Sequence, residues 1–369
     1  MKKVLRICSY PTKEHESMGL NSYMISGMDS IKTYYLAPFY SRNTFPPPKN
    51  TTLFMTHFLT IPSPKNRLKR CLHELKRVFF ISLLTLKGIY IIHKYRIDII
   101  HVHSPMYFLV PLYGKIIGKK CFISYHGNEH EKIYNNALLG NLFNSVFSAT
   151  FSLSHVITNY KKLYPKYSSN FKRINNAVNE NIYTNHRYER KKQILAVGRL
   201  EKQKGFYHLI NGFFTFHKEH PDYQLVIVGE GQLRINIEKQ IKKLNLNDSV
   251  LLLGKKSRKE IIELYNYSEI FILTSLWEGF PKVLLEAISC GCKIISTNVD
   301  SVPNIIGKDY KYLIKPESDL EVSKKLSEII MDGQKEFSLR YKKILKKYTW
   351  NNIIGDMEKI YLEKKGTIT

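Results

Sequence analysis

No two aspartates in this 369-residue chain stand two apart, so a paired-aspartate cation site of D-x-D spacing is absent. Cysteine is scarce: Cys8, Cys71, Cys121, Cys290 and Cys292 form no C-x2-C pair, which removes the usual zinc spacing. Their odd number and scatter suit a reducing compartment. The amino end, MKKVLRICSYP, has too few apolar residues before Pro11 for a signal peptide and reads as a first core strand. A cytoplasmic protein is expected. Val78 to Leu86 carry no charge, but Lys87 and Gly88 follow, well short of the ~20 apolar residues of a membrane span. Low-complexity segments and solenoid-length repeats are missing too. Acidic side chains are in the minority, 31 against 57 Lys and Arg, for a formal net charge of +26. That sign points to an anionic partner: a nucleotide, a nucleic acid or an acidic membrane surface. Abundant Lys, Asn, Ile and Tyr suit base-composition bias, so the sign informs more than the size.

What is present suits a globular chain of two domains: 43% hydrophobic residues, 24% charged, and a length comfortable for two cores. One stretch organises the reading. Glu269 to Leu273 reads as a buried strand, Glu278-Gly279-Phe280-Pro281 as a tight corner, and the residues to Gly291 as a helix. Pro281 suits the helix's first turn. A loop of this kind, at the carboxyl end of a strand, is where open α/β sheets bind ligands.

Other strands are expected at Val4–Cys8, Ile97–His103, Cys121–Tyr125, Val156–Asn159, Ile194–Val197, Leu225–Val228 and Val250–Gly254. Ser257–Tyr265 and Asn351–Lys364 read as helices, and Thr297–Pro303 as a loop. Such alternation implies parallel sheets covered on both faces. The polar run Asn185–Lys192 reads as a linker. From Arg67 to Arg96 basic and apolar groups alternate, as in a long core helix with a solvated basic face. The same residues suit an amphipathic surface resting on anionic lipid. His103 ends its strand and reads as a packed, hydrogen-bonded histidine rather than a catalytic one.

Glu278 and Glu286 form an E-x7-E pattern inside EGFPKVLLEAISCG, and Gly198 to Gly205 read GRLEKQKG, matching G-R-L-x-x-x-K-G. On these residues the chain resembles retaining glycosyltransferases of the GT-B fold, in particular glycosyltransferase family 4. The resemblance is close over the C-terminal half and holds only in pattern over the N-terminal half. It implies an α/β GT-B fold: two Rossmann-like, doubly wound parallel-sheet domains facing a cleft. An acceptor-binding domain would span 1–188 and a donor-binding domain 189–350, with the final helix, about 351–365, packed back on the first.

The implied reaction is retaining, metal-independent transfer of a sugar from a nucleotide-sugar donor, a UDP-sugar favoured. The acceptor would be a growing, lipid-linked bacterial surface glycan: lipopolysaccharide, capsule or exopolysaccharide. No cofactor and no nucleic-acid partner are expected, and an anionic membrane surface is. By resemblance Glu278 meets the donor sugar and Glu286 the ribose. Arg199 and Lys204 meet the diphosphate, and His126 contacts the donor sugar. Gly198 and the backbone at Gly279, Phe280 and Pro281 border the donor; Gly19 is either a phosphate contact or a plain turn. Departures from the family pattern are Met18, where a second glycine is usual, and Ala177 and Asn179 in place of glycine and aspartate; those two are left out of the site.

The chemistry is coherent. Breaking a sugar–diphosphate bond builds negative charge on the departing phosphate, and positive groups must stand where it develops. Arg199 offers a planar fork and Lys204 a compact ammonium. With no D-x-D pair, these cations, backbone N–H groups and the helix start near Pro281 would replace a metal. A hydrolase would need its carboxyl groups ~5 to 9.5 Å apart, whereas eight residues of helix rise ~12 Å. A GT-B-fold sugar-nucleotide epimerase or phosphorylase is the alternative enzyme class, and a basic nucleic-acid-binding protein the non-enzymatic one.

Overall fold

The computed structural model describes residues 1–8, 27–37, 46–56, 67–103, 107–125, 155–158, 171–172, 174–179 and 181–363. The chain forms two compact units, residues 1–175 with 350–369, and residues 176–349. Each is built on its own parallel sheet.

The first unit runs β1 (Lys2–Ile7), β2 (Ile31–Ala37), β3 (Thr51–Met55), α1 (Arg67–Lys94), β4 (Ile99–Val102), α2 (Leu109–Ile116), β5 (Lys120–Tyr125), β6 (His155–Thr158) and β7 (Phe171–Lys172). Its strands pair in parallel in the order β3-β2-β1-β4-β5-β6-β7. Val4 to Ile7 and Ile99 to Val102 are buried without alternation, as expected of strands covered on both faces. Phe80, Leu84, Ile91 and Ile92 of α1 pack on one face, against Leu5, Ile7, Ile100 and Val102. α1 thus matches the long core helix read from the sequence. No helix among the described residues is long and apolar enough to cross a membrane.

The second unit opens with β8 (Lys191–Val197), a 3-10 turn at Lys202–Lys204, α3 (Phe206–Glu219), β9 (Gln224–Val228), α4 (Arg234–Lys243), β10 (Val250–Leu252) and α5 (Arg258–Tyr267). It continues with β11 (Ser268–Leu273), α6 (Lys282–Ser289), β12 (Lys293–Thr297), α7 (Val302–Ile306), β13 (Leu313–Ile314), α8 (Asp319–Met331) and α9 (Gln334–Lys347). The parallel sheet has the order β10-β9-β8-β11-β12-β13. α3 buries Leu209, Ile210, Phe213 and Phe216, a stripe at helical spacing. α5 starts in a capping box: Ser257 Oγ accepts from the Glu260 N–H, while the Glu260 carboxylate accepts from the Ser257 N–H at 2.8 Å. Hydrogen bonds from the Ser257 side chain and backbone and from Lys256 hold the Glu260 carboxyl down at about 2.

The last helix, α10 (Trp350–Leu362), belongs to the first unit. It buries Ile353, Met357, Ile360 and Tyr361. The Tyr361 hydroxyl shares a 2.5 Å hydrogen bond with His101 Nδ1, and Lys120 Nζ donates to the carbonyls of Ile360 (2.9 Å) and Glu363 (2.8 Å). A lysine on terminal carbonyls satisfies groups that a helix leaves open.

Three local expectations differ. The division falls at residues 175/176, ahead of the polar run, because the run is pinned to the second unit: buried Asn266 accepts from the His186 N–H (2.7 Å) and donates to Thr184 O (3.0 Å), and Arg190 donates to Tyr265 O (2.6 Å). Val302 and Pro303 open α7 instead of ending a loop. Pro281 precedes α6 as its N-cap, its carbonyl accepting from the Leu284 N–H at 3.1 Å.

Replacing Tyr361 with Phe removes the hydroxyl that α10 offers to buried His101. The first unit should lose about 1–3 kcal/mol, read as a lower urea midpoint at unchanged m.

Candidate functional site

β8 and β11 are neighbours at the middle of the second sheet, yet the chain leaves them in opposite directions, toward β9 and toward β12. Right-handed crossovers send their following helices to opposite faces, so the two loops part at the carboxyl ends of the strands. That topological switch point is the standard ligand crevice of open α/β sheets. The loop Gly198–Gly205 lines it from β8, and Thr274–Pro281 from β11.

The two loops are joined through their main chains, by one backbone–backbone and two side chain–backbone hydrogen bonds. The Leu276 N–H donates to Gln203 O (2.7 Å), Gln203 Nε2 donates to Trp277 O (2.8 Å), and Thr274 Oγ1 donates to Lys204 O (2.9 Å). Gly205 sits at φ +63°, and a Cβ there would lie 2.2 Å from Thr274 O. Gly229, after β9, has φ +144°, and its Cβ would lie 1.8 Å from Gly198 O. Only glycine permits both the angles and the approach.

Across this junction Lys204 Nζ meets Glu278 Oε1 at 2.5 Å, with side chains 14% and 7% exposed. Ser275 Oγ donates to the same oxygen at 2.6 Å, and the Glu278 N–H donates to Asp300 Oδ2 at 2.9 Å. Asp300 follows β12 and holds φ +43°, a left-handed backbone angle uncommon outside glycine. The Lys204 stem lies over Gly198, where a Cβ would come within 3.2 Å of Cδ and Cε. Taking two charges out of water costs several kcal/mol per ion, roughly, and apolar residues of equal volume often do as well or better. A buried pair held this carefully is poorly explained by stability. In a crevice it offers an ammonium for an anionic group and a carboxylate for hydroxyls.

The remaining sequence candidates are placed as follows. Arg199 is apart from the pair: its side chain is 62% exposed and bridges to Glu201 at 2.8 Å. Gly279 is buried, and Phe280 turns its ring to Tyr348, 5.7 Å away, so this corner offers the crevice main chain. Glu286, half-buried on α6, receives the Tyr265 hydroxyl at 3.3 Å. Burial pushes its carboxyl above the ordinary value; the charge of Lys282 and the hydroxyls of Tyr265 and Tyr183 act against that shift. Gly19 and His126 lie outside the described residues. His103 is buried, hydrogen-bonded to Arg6 at 2.7 Å and stacked on His101 at 4.1 Å.

Sequence reasoning missed Ser275, Gln203 and Asp300. Ser275 could have been suspected, since it stands three residues before Glu278 in S-x-x-E. Asp300 carries no local signal: it reaches Glu278 because β12 lies beside β11.

Residues 178–347 match the family described as Glycosyl transferases group 1. The chain is similar to the phosphatidylinositol N-acetylglucosaminyltransferase gpi3 subunit of Schizosaccharomyces pombe, 27% identical over 290 residues, 73% of this chain and 62% of that protein. It is also similar to the N-acetylgalactosamine-N,N'-diacetylbacillosaminyl-diphospho-undecaprenol 4-alpha-N-acetylgalactosaminyltransferase of Campylobacter jejuni, 36% identical over 135 residues, 36% of this chain and 35% of that protein. The match thus spans less than two thirds of the length of these curated relatives. Among solved structures, Anabaena HepE in complex with UDP aligns over 98% of this chain and 99% of its own, with a TM-score of 0.72 at 15% identity. That likeness establishes the GT-B fold.

Lys204→Met leaves the Glu278 carboxylate buried with Ser275 but without its cation and should destabilise the second unit. Adding Glu278→Gln should restore part of the loss, so that a double-mutant cycle on thermal unfolding returns a coupling of about 0.5–3 kcal/mol. Additive effects would mean that the pair is not formed in solution.

Proposed function

We propose, from the match of residues 178–347 to the family described as Glycosyl transferases group 1, a hexosyltransferase that moves a sugar from a UDP-sugar to a lipid-linked bacterial surface glycan, with retention and without metal. The observation that carries the reading is the Lys204–Glu278 pair at the switch point between β8 and β11.

In this reading Lys204 faces the diphosphate and opposes the charge that grows on it as the bond to the anomeric carbon breaks. Glu278 accepts a hydroxyl of the transferred sugar, its position set by Ser275 and Asp300. Glu286, with Tyr265 beside it, meets the ribose. Arg199, on the exposed side of the same loop, turns inward from Glu201 to a diphosphate, and main chain at Gly198, Gly279, Phe280 and Pro281 supplies the close approach. The acceptor hydroxyl oxygen bonds to the anomeric carbon on the face the phosphate leaves, and the departing phosphate oxygen takes the hydroxyl proton. Each bond made is matched by one broken, and no protein nucleophile is required.

A UDP-sugar is supported by HepE, solved with UDP. The acceptor is supported by two names, one for a phosphatidylinositol substrate and one for a diphospho-undecaprenol-linked sugar. An acceptor of that kind supports work at a membrane surface, in this reading its cytoplasmic face.

A thermal-shift screen of nucleotide sugars tests the proposal, followed by turnover with and without chelator. One UDP-sugar should raise the melting temperature. Glu278→Gln should keep that UDP response while losing turnover by a factor of about a hundred, the scale of one transition-state contact. Turnover abolished by chelator and returned by magnesium would overturn the metal-free mechanism. A chain that responds to no nucleotide sugar but binds polyanions in a salt-sensitive way would overturn the whole reading.

A further inference from the structure

α1 has two apolar faces, and among the described residues one of them packs into the core of the first unit. Phe80, Leu84, Ile91 and Ile92 are buried in the core. On the opposite side Phe79, Leu83, Leu86 and Tyr90 are 66%, 49%, 63% and 54% exposed. Their spacing of four, three and four residues sets them in one stripe along the helix. By sequence the same spacing continues back through Leu75, Leu72 and Leu68. Single exposed apolar side chains are ordinary, but a continuous row is not. The inward residues fix the rotation of α1, so this row cannot turn away from solvent.

Cations border the row. Lys76 and Lys94 are exposed, as is His93. Lys94 Nζ donates to the Tyr90 hydroxyl at 2.5 Å and lies 5.0 Å from the centre of that ring. An aromatic ring with a lysine at its polar edge is the arrangement that suits the headgroup level of a bilayer, where apolar stem and charged tip part. Lys87 is committed elsewhere, donating to Met55 O at 2.6 Å.

We propose that the outward face of α1 is a membrane-docking surface that lies flat on anionic lipid, with Phe79, Leu83, Leu86 and Tyr90 in the acyl boundary and Lys76 and Lys94 at the headgroups. The 28 residues of α1 make a footprint ~42 Å long, parallel to the membrane. Charge chooses lipid over a second copy of this chain: at +26, two copies repel, while an anionic leaflet attracts. The physics rests on α1 alone; its purpose rests on the lipid-bearing acceptor proposed above.

Co-sedimentation of the full chain with vesicles tests this, using phosphatidylcholine alone and phosphatidylcholine mixed with phosphatidylglycerol. The native chain should bind the anionic vesicles. Leu83→Ser with Leu86→Ser should weaken that partitioning by about tenfold or more, the scale expected for withdrawing a leucine side chain from an apolar phase. Lys76→Glu with Lys94→Glu should abolish the preference for phosphatidylglycerol, and Ile235→Ser, an exposed site on α4, should change nothing. All four substituted positions on α1 are exposed, so the thermal unfolding midpoint should stay at the native value and show that the variants are folded. Equal binding by the native and leucine-substituted chains, or none by the native chain, would overturn the proposal. So would a native dimer in lipid-free buffer that the leucine substitutions convert to monomer, which would give the face to a second copy. A failed donor screen would leave the vesicle result standing, so the two proposals fail separately.

Discussion

Everything distinctive about the second unit depends on keeping one ammonium and one carboxylate together where water is nearly excluded. Two such charges separate into solvent unless the backbone beneath them is fixed. The sheet supplies the place, because β8 and β11 adjoin while their loops diverge. Gly205 and Gly229 let main chain approach main chain, Ser275 on the same loop bonds the carboxylate, and Asp300 beyond β12 holds the Glu278 backbone N–H. The pair is thus the meeting point of loops from three strands rather than a property of one motif.

Much of this was legible in the sequence, and the reason is physical. Strands β8, β9 and β11 each end in an apolar run of four residues, and the glycines and charges that follow them are local requirements of tight turns at a ligand crevice. The buried pairing of Lys204 with Glu278 joins the two motifs on which the family resemblance rested. What could not be read was set by neighbours distant in sequence. Asp300 belongs to the site through strand order. Arg199 stands in the matching motif, yet in the structure it turns to Glu201, because a solvated ion pair two residues away competes with the crevice. The domain boundary moved because Asn266 and Arg190 capture a stretch whose polarity alone suggested a linker.

α1 shows the same limit in another form. Its uncharged middle was expected to be core, with a solvated basic face opposite. Only half of that middle is core, since Phe79, Leu83 and Leu86 point outward from between buried neighbours. Periodicity identifies a helix, but an apolar residue on every side leaves open which side the domain will use.

The return of α10 to the first unit has a consequence for how the chain is made. His101 waits for a partner 260 residues further along, so a ribosome working at about 5–20 residues per second delivers Tyr361 roughly 13–50 s later. The second unit, continuous from 176 to 349, is complete before that moment. The first must hold its sheet with the face that Tyr361 covers still open until Trp350–Leu362 have left the ribosome. For a newly made molecule a segment synthesised after the whole second unit is therefore the one that closes the first, and losing α10 harms strands made some 260 residues earlier.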